Sequence, residues 1–219
     1  MHRRHHGIGM TSQRTRKRLV RRLQEMGIRN PAVLEAMGKV PRHIFVDEAL
    51  ASHAYDDTAL PIGQGQFISQ PYIIARMTEL LMENAAPRRV LEVGSGSGYQ
   101  TAVLAHLVPE VYSIERSAAL FKQLRFRFQE LGLRNIRLKH GDGWQGWPEY
   151  APYDGILVAA SASDIPYMLM EQLEINARLI MPLGGGEQQV LTQITRGHDS
   201  YEQVSLEPVN FVPLLSERL

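Results

Sequence analysis

Val90-Leu-Glu-Val-Gly-Ser-Gly-Ser-Gly-Tyr99 is the stretch that decides the fold. Its apolar opening reads as a buried strand over residues 89–93. The three glycines that follow permit positive φ and let the backbone approach a ligand closely. A helical pattern over residues 99–107 comes next. Strand, glycine turn and helix in that order point to a nucleotide-binding fold, although the turn alone is also compatible with a plain tight bend.

The same alternation continues downstream. Strand patterns at 111–115, 136–140 and 154–159 alternate with helical ones at 117–131 and 166–173, and further strands are expected at 178–181, 189–195, 202–206 and 210–212. This predicts an α/β fold with a Rossmann-like, doubly wound, mostly parallel sheet. Upstream the texture is helical. Leu19, Val20, Leu23 and Met26 fall on one face of a helix over 12–26 that Gly27 ends. Asn30-Pro31 reads as N-cap and first-turn proline of a helix to residue 37, and residues 71–83 form a third helix. Pro41 and residues 56–66 read as loop. A single domain is expected, with residues 1–11 as a disordered arm, 12–85 as a helical and loop extension over the ligand edge, and 86–219 as the ligand-binding core.

Composition narrows the class. The chain has 219 residues, 44% of them hydrophobic and 21% charged, which suits one α/β domain with a well-buried core. It has no cysteine, so disulfides, cysteine nucleophiles and thiolate metal sites are excluded. No apolar run approaches the roughly 20 residues that cross a bilayer, and the basic N-terminus lacks the apolar stretch of a signal peptide, so a cytoplasmic setting with no membrane contact is expected. Residues 1–24 carry eight Lys or Arg and no acid, whereas the remainder has sixteen bases to twenty-three acids. Such an arm reads either as a nucleic-acid contact or as a solvated helix face; with no second basic patch expected in the body, the second reading is preferred. His2, His5 and His6 have no accompanying acid or cysteine, and no metal site is expected.

Two further signals sit at later strand ends. Glu115 ends the second strand, seventeen residues past Gly98. A carboxylate there can accept hydrogen bonds from vicinal ribose hydroxyls. His140-Gly-Asp-Gly143 follows the third strand; Asp142 can receive an adenine amino group, and Gly143 leaves room for the ring. A simple Asp-Gly turn is the alternative. Glu92, next to the glycine turn, repels phosphate and suits a sulfonium or an ammonium, which favours S-adenosylmethionine over NAD; a buried acid bonded to a loop N–H is the other reading.

At these residues the chain resembles the class I methyltransferases. With Pro61-Ile-Gly-Gln-Gly-Gln-Phe-Ile-Ser-Gln-Pro-Tyr72 in front and Phe211-Val-Pro-Leu214 behind, it is similar to the protein-L-isoaspartate O-methyltransferase family over about residues 12–215. The resemblance implies the class I methyltransferase fold with an N-terminal helical extension, and S-adenosylmethionine-dependent methylation of the free α-carboxylate of L-isoaspartyl residues in damaged proteins. The methyl ester then recloses to a succinimide. It also implies roles: Ile68, Gly94, Ser95, Gly96 and Gly98 beside the cofactor, Glu115 on its ribose, Asp142 and Gly143 at its adenine, Ser69 engaging the substrate carboxylate, and Val212, Pro213 and Leu214 bordering the substrate. Isoaspartyl proteins and peptides are the partners implied, and a monomer is expected. One departure is Phe67, where the family usually has threonine, which removes any side-chain hydroxyl at that position.

The chemistry agrees with this set of residues. A carboxylate with a pKa of about 3.5–4 is already ionised near neutral pH and needs no general base, only alignment and removal of its water. Ser69 can orient one oxygen, or, preceding Gln70-Pro71, it can simply cap the following helix. Trp144 and Trp147 can stack on adenine or pack in the core. Two rivals differ in class. An RNA methyltransferase acting on ribose is one; base-amine chemistry is disfavoured, since residues 158–164 lack an Asp or Asn followed by Pro-Pro and an aromatic, and cytosine-C5 chemistry needs a cysteine. The other is a non-catalytic S-adenosylmethionine-binding protein, against which the intact glycines and acids argue.

Overall fold

A computed structural model describes residues 7, 9–83, 86–186 and 188–216. They divide into two compact units. The first comprises the described residues of Met1–Glu79 together with Gly96–Leu107, and the second comprises those of Leu80–Ser95 and Val108–Leu219.

The first unit contains α1 (Gln13–Glu25), α2 (Pro31–Lys39), the strands β1 (Leu60–Gly63) and β2 (Gln66–Ile68), and α4 (Tyr99–Ala105). It also holds α3 (Pro71–Met82) as far as Glu79. α1 ends at Gly27, whose φ of +107° suits a residue without Cβ. The expected cap of α2 forms: Asn30 Oδ1 accepts the N–H groups of Ala32 at 3.0 Å and Val33 at 3.3 Å. Glu79, nearly buried, accepts the N–H groups of Arg29 and Asn30 at 2.6 and 2.7 Å, which fixes the entry to that helix. Residues 56–66 are not all loop as expected. β1 and β2 form a short antiparallel hairpin, turned at Gln64 and Gly65, both at positive φ. The turn residues hid two strands too short to show a period. Residues 9–11 of the expected arm form a 3₁₀ turn, with Gly9 O accepting from Ser12 N at 3.1 Å. Residues 1–6 and 8 lie outside the described residues.

The second unit is a seven-stranded sheet built from β3 (Arg89–Val93), β4 (Glu110–Glu115), β5 (Ile136–His140), β6 (Tyr153–Val158), β7 (Leu173–Gly185), β8 (Gln188–Arg196) and β9 (Tyr201–Val209), in the order β5-β4-β3-β6-β7-β8-β9. It runs parallel from β5 to β7, and β8 and β9 are antiparallel. α5 (Ala118–Glu130) and α6 (Tyr167–Glu171) are its helices. The central strands are buried along almost their whole length, which explains their continuous apolar texture, whereas β9 is largely exposed. Leu91, Ile114, Ile156, Leu169 and Met181 belong to one core cluster. The chain reverses direction across the sheet between β3 and β6, the switch point where such sheets bind ligands beyond their carboxyl ends.

Two strand expectations change. The strand at 178–181 is the middle of a longer β7, which starts opposite Tyr153, breaks register, and resumes with Gly155 opposite Arg178. Asn176, at φ +65°, lies in that irregularity, and the polar residues around it obscured the strand's start. Residues 210–212 are not a strand; the segment instead brackets one residue, Ser161, as described below. Among the described residues, no helix is long and apolar enough to cross a membrane.

The Asn30 cap gives a direct check. Asn30→Ala is expected to destabilise the protein by about 1 kcal/mol, read as a lower denaturant midpoint with unchanged slope.

Candidate active site

In the second unit, β3 bends at its carboxyl end through Gly94, at φ +89°. The N–H groups of Gly94 and Ser95 both point at one acceptor, Ile114 O on β4, at 2.9 and 3.2 Å. The turn is thus tied to the neighbouring strand tip. Beneath it runs a buried polar chain. Ser95 Oγ meets Ser113 Oγ at 2.6 Å, and Ser113 Oγ donates to Glu92 Oε2. Glu92 and Ser113 are fully buried. Glu92 thus has a hydroxyl partner on the neighbouring strand. Ser113 was not predicted, because a serine inside an apolar strand reads as a neutral position.

Glu115 ends β4 with its carboxylate nearly buried, and its Oε1 accepts Ser117 N–H at 2.7 Å. Gly141 N donates to Glu115 O at 3.1 Å, so the next strand tip is tied to this one. Asp142 Oδ1 accepts Trp144 N–H at 2.9 Å and caps a 3₁₀ turn over Gly143–Gln145. Gly143 is buried, and a Cβ added there would lie 2.4 Å from Val93 Cγ1 and 3.5 Å from Leu214 Cδ1. The glycine is required by contact with β3 and the C-terminal segment. This is a tighter reason than the room for a ring expected from sequence.

That segment is pinned to the end of β6. Ser161 N donates to Val212 O at 2.9 Å and Leu214 N to Ser161 O at 2.7 Å, with Pro213 bridged to Ser161. Trp144 Nε1 donates to Leu214 O at 3.2 Å. The indole therefore links the Asp142 turn to residues 212–214 and packs against the core cluster. Trp147 also packs there, edge-on to Tyr112 with ring centres 5.6 Å apart. Glu92, Gly94, Ser95, Glu115, Asp142, Gly143, Val212, Pro213 and Leu214 all fall in this unit.

Ile68, Ser69, Gly96 and Gly98 fall in the first unit. Gly96 and Gly98 are at φ +53° and +86°, and Gly98 precedes α4 as its N-cap. Ile68 is buried in β2, and Ser69 is half-buried between β2 and α3. Ser69 is not the helix cap. Ile74 N donates to Gln70 O, which puts Gln70 at the cap position, and the Tyr72 N–H is taken by Asp57 Oδ1 at 2.8 Å. Phe67 is 53% exposed.

The segment carrying Asp57 is anchored by Arg42, a residue that no local pattern singles out. Its guanidinium is fully buried, with Nε donating to Ala54 O at 2.8 Å and Nη2 to Thr58 O at 3.4 Å. Its carbon Cζ lies 5.0 Å from the centre of the Tyr99 ring. Burial pulls the Arg42 pKa down to about 10, against the opposing pull of Tyr99 and Asp57; it stays cationic at neutral pH. Nothing in a Pro-Arg pair within a loop announces burial. Among the described residues, no three His, Asp or Glu side chains are gathered to hold a metal.

A parallel sheet with a glycine turn on its first strand and acids at the next two tips is the class I methyltransferase fold, as solved structures bear out. A Plasmodium falciparum chain described as a protein-L-isoaspartate O-methyltransferase, in complex with S-adenosyl-L-homocysteine, superposes with a TM-score of 0.80 at 29% identity, over 92% of this chain and 99% of that one. The chain belongs to the protein-L-isoaspartate(D-aspartate) O-methyltransferase family, whose profile matches residues 13–219. A protein-L-isoaspartate O-methyltransferase of Halorhodospira halophila is 58% identical over 97% of each chain. That of Pseudomonas paraeruginosa is 55% identical over 94% of this chain and 98% of its own.

The contact at Gly143 predicts that Gly143→Ala is overpacked. The variant should lose about 1–3 kcal/mol, measured by chemical denaturation, whereas Gly141→Ala, with only Lys139 Cε at 3.7 Å, should lose less.

Proposed function

We propose that this chain methylates the free α-carboxylate of L-isoaspartyl residues in damaged proteins and peptides, with S-adenosylmethionine as donor. The observation that carries the reading is the adjacency of three strand tips: Gly94 on β3, Glu115 on β4 and the Asp142 turn after β5. The match to the family over residues 13–219 supports the choice of acceptor.

The donor fits these residues. Its ribose offers two hydroxyls, and the Glu115 carboxylate, desolvated at a strand tip, is an acceptor suited to both. Its adenine offers an amine, for which Asp142 is the acceptor. Its methionine end carries an α-ammonium and a sulfonium, which the buried Glu92 favours over a phosphate. Gly94 and Ser95 bring bare backbone to the loop, and Ile68, Gly96 and Gly98 are assigned to the same cofactor. When bound, S-adenosylmethionine supplies an electrophilic methyl group.

The remaining work falls to the protein. Ser69 donates its hydroxyl to one oxygen of the substrate carboxylate and leaves the other to attack. Asp57, through the Tyr72 N–H, holds the start of α3 and so the position of Ser69. Val212, Pro213 and Leu214 offer backbone and apolar surface to the substrate chain. No proton must be removed from an anionic nucleophile, so alignment and exclusion of water are what the site must provide. In the ester product the adjacent backbone nitrogen displaces methanol to close a succinimide, whose hydrolysis can give normal aspartate. The setting this reading assigns is the cytoplasm, with a monomer as the working unit.

The test uses labelled S-adenosylmethionine with a peptide containing isoaspartate and the same peptide with aspartate. Base-labile label on the first alone is expected; equal labelling of both, or labelling of RNA instead, refutes the reading. In the same assay Ser69→Ala should lower turnover about ten- to a hundredfold with cofactor binding intact. Glu115→Ala should weaken S-adenosylhomocysteine about ten- to a hundredfold by calorimetry with an unchanged circular dichroism spectrum. Undiminished binding removes Glu115 from the site.

A further inference from the structure

The expectation that the body carries no second basic patch fails at α5 and β5. Residues 116–141 hold seven Lys or Arg and one acid, Glu130. The surplus of acids elsewhere in the body had cancelled them in the sum. Two of these cations face aromatic rings: Arg137 Cζ is 5.1 Å from the Tyr150 ring centre, and Lys139 Nζ is 5.5 Å from that of Trp147. Three others, Lys122, Arg125 and Arg134, line a groove of about 990 Å³ in which no acid takes part. Among the described residues, none of these three forms an ion pair or a side-chain hydrogen bond.

The groove has a specific architecture. One wall is α5, contributing Phe121 and Phe126; the other is β5, contributing Ile136 and Leu138. Phe126 is 70% exposed, an unusual state for so large an apolar side chain. β5 is the edge strand of the sheet, paired with β4 alone, so its outer backbone groups face no strand among the described residues. A channel between a helix and an open strand edge is the form in which folded domains add an extended peptide as a further strand. Main-chain hydrogen bonds then supply affinity, and side-chain pockets supply selectivity. The cations select an acidic chain, and the phenylalanines select alternate apolar side chains.

We infer that this groove docks an extended acidic segment of the polypeptide substrate, added alongside β5. The inference rests on the methylation reading above. β5 spans about 17 Å and its carboxyl end runs directly into Gly141 and Asp142, so a segment lying along it is led toward the strand-tip crevice. Isoaspartate forms where backbone is flexible enough to cyclise, and deamidation of asparagine adds a carboxylate. Extended acidic segments are therefore what a damaged chain has to offer. The groove would let the enzyme hold such a chain by features away from the damaged residue, and so prefer substrates the crevice alone does not distinguish.

Two measurements on the full chain test this. In the first, a fluorescent peptide alternating Glu and Val is titrated by anisotropy against the native protein and against the variant carrying Arg125→Glu and Arg134→Glu, with a Lys/Val peptide and a U-rich RNA as comparators. The native protein should bind the Glu/Val peptide in preference to both, and the variant should bind it at least about tenfold more weakly. In the second, methyl transfer is followed to one isoaspartyl peptide in three forms: short, extended by Glu/Val, and extended by Gly/Ser. The Glu/Val extension should lower KM about five- to tenfold relative to Gly/Ser. The variant should erase that difference while leaving kcat on the short form unchanged. Equal affinity of native and variant proteins for the Glu/Val peptide, preference for RNA, or identical KM for the two extensions overturns the docking site. Intact peptide binding with no transfer to any isoaspartyl form instead refutes the methylation reading, and with it the identity of the docked chain. Phe126→Ser, which keeps every charge, should weaken the same binding; no effect would assign it to charge alone and overturn the strand-addition geometry.

Discussion

The structure of the second unit turns on one carbonyl. Ile114 O accepts the N–H groups of both Gly94 and Ser95, and it can do so only because Gly94 adopts a φ of +89° that other residues reach at a cost. That pair of hydrogen bonds folds the end of β3 against β4. It brings Ser95 onto Ser113, seats Ser113 on Glu92, and sets the turn beside the tip where Glu115 emerges. The link from Gly141 N to Glu115 O repeats the device one strand further on. Three tips are thereby held in fixed order by backbone hydrogen bonds, and the acids they carry inherit that order.

This arrangement suits a reaction whose nucleophile is anionic from the start. A site that had to generate a nucleophile would need a base with a pKa near working pH. Transfer to a carboxylate needs instead a surface that grips the donor firmly and strips water from the acceptor. Glu92 is fully buried and Glu115 nearly so, and the proposed function puts the cationic, hydroxyl-bearing donor beside them. In the first unit, Arg42 and Asp57 do comparable positioning work, the first by pinning carbonyls of the segment before β1, the second by holding the start of α3 next to Ser69.

Legibility in the sequence followed physical period and local chemistry. β3 and β5 were read to their true ends, and β4 and β6 within one residue, because buried parallel strands are continuous apolar runs bounded by turn residues. Asn30-Pro31 was legible because capping is local. The β1–β2 hairpin was not, since its strands are only four and three residues long and Pro61, Gly63 and Gly65 read as turn residues. The start of β7 was hidden by a register break at Asn176. Among candidate site residues, Glu115 was singled out by its place at a strand end seventeen residues past Gly98, and Asp142 by the His140-Gly-Asp-Gly143 turn after the next strand. Ser113, Asp57 and Arg42 act through tertiary partners far away in the chain, which no local pattern encodes. Ser69 looked like a cap until the structure gave that position to Gln70. The basic groove was lost to averaging: a net charge summed over the body says nothing of where Lys122, Arg125 and Arg134 gather.

Adenosine lying along the tips of β3, β4 and β5 is the central element of the proposed function. Crystals grown with S-adenosylhomocysteine test it most directly. The expected result is ribose hydroxyls on the Glu115 carboxylate, and the adenine amine on Asp142 with its ring beside Gly143 and Leu214. A nucleoside bound elsewhere on the sheet, with Glu115 and Asp142 making no contact to it, would contradict it.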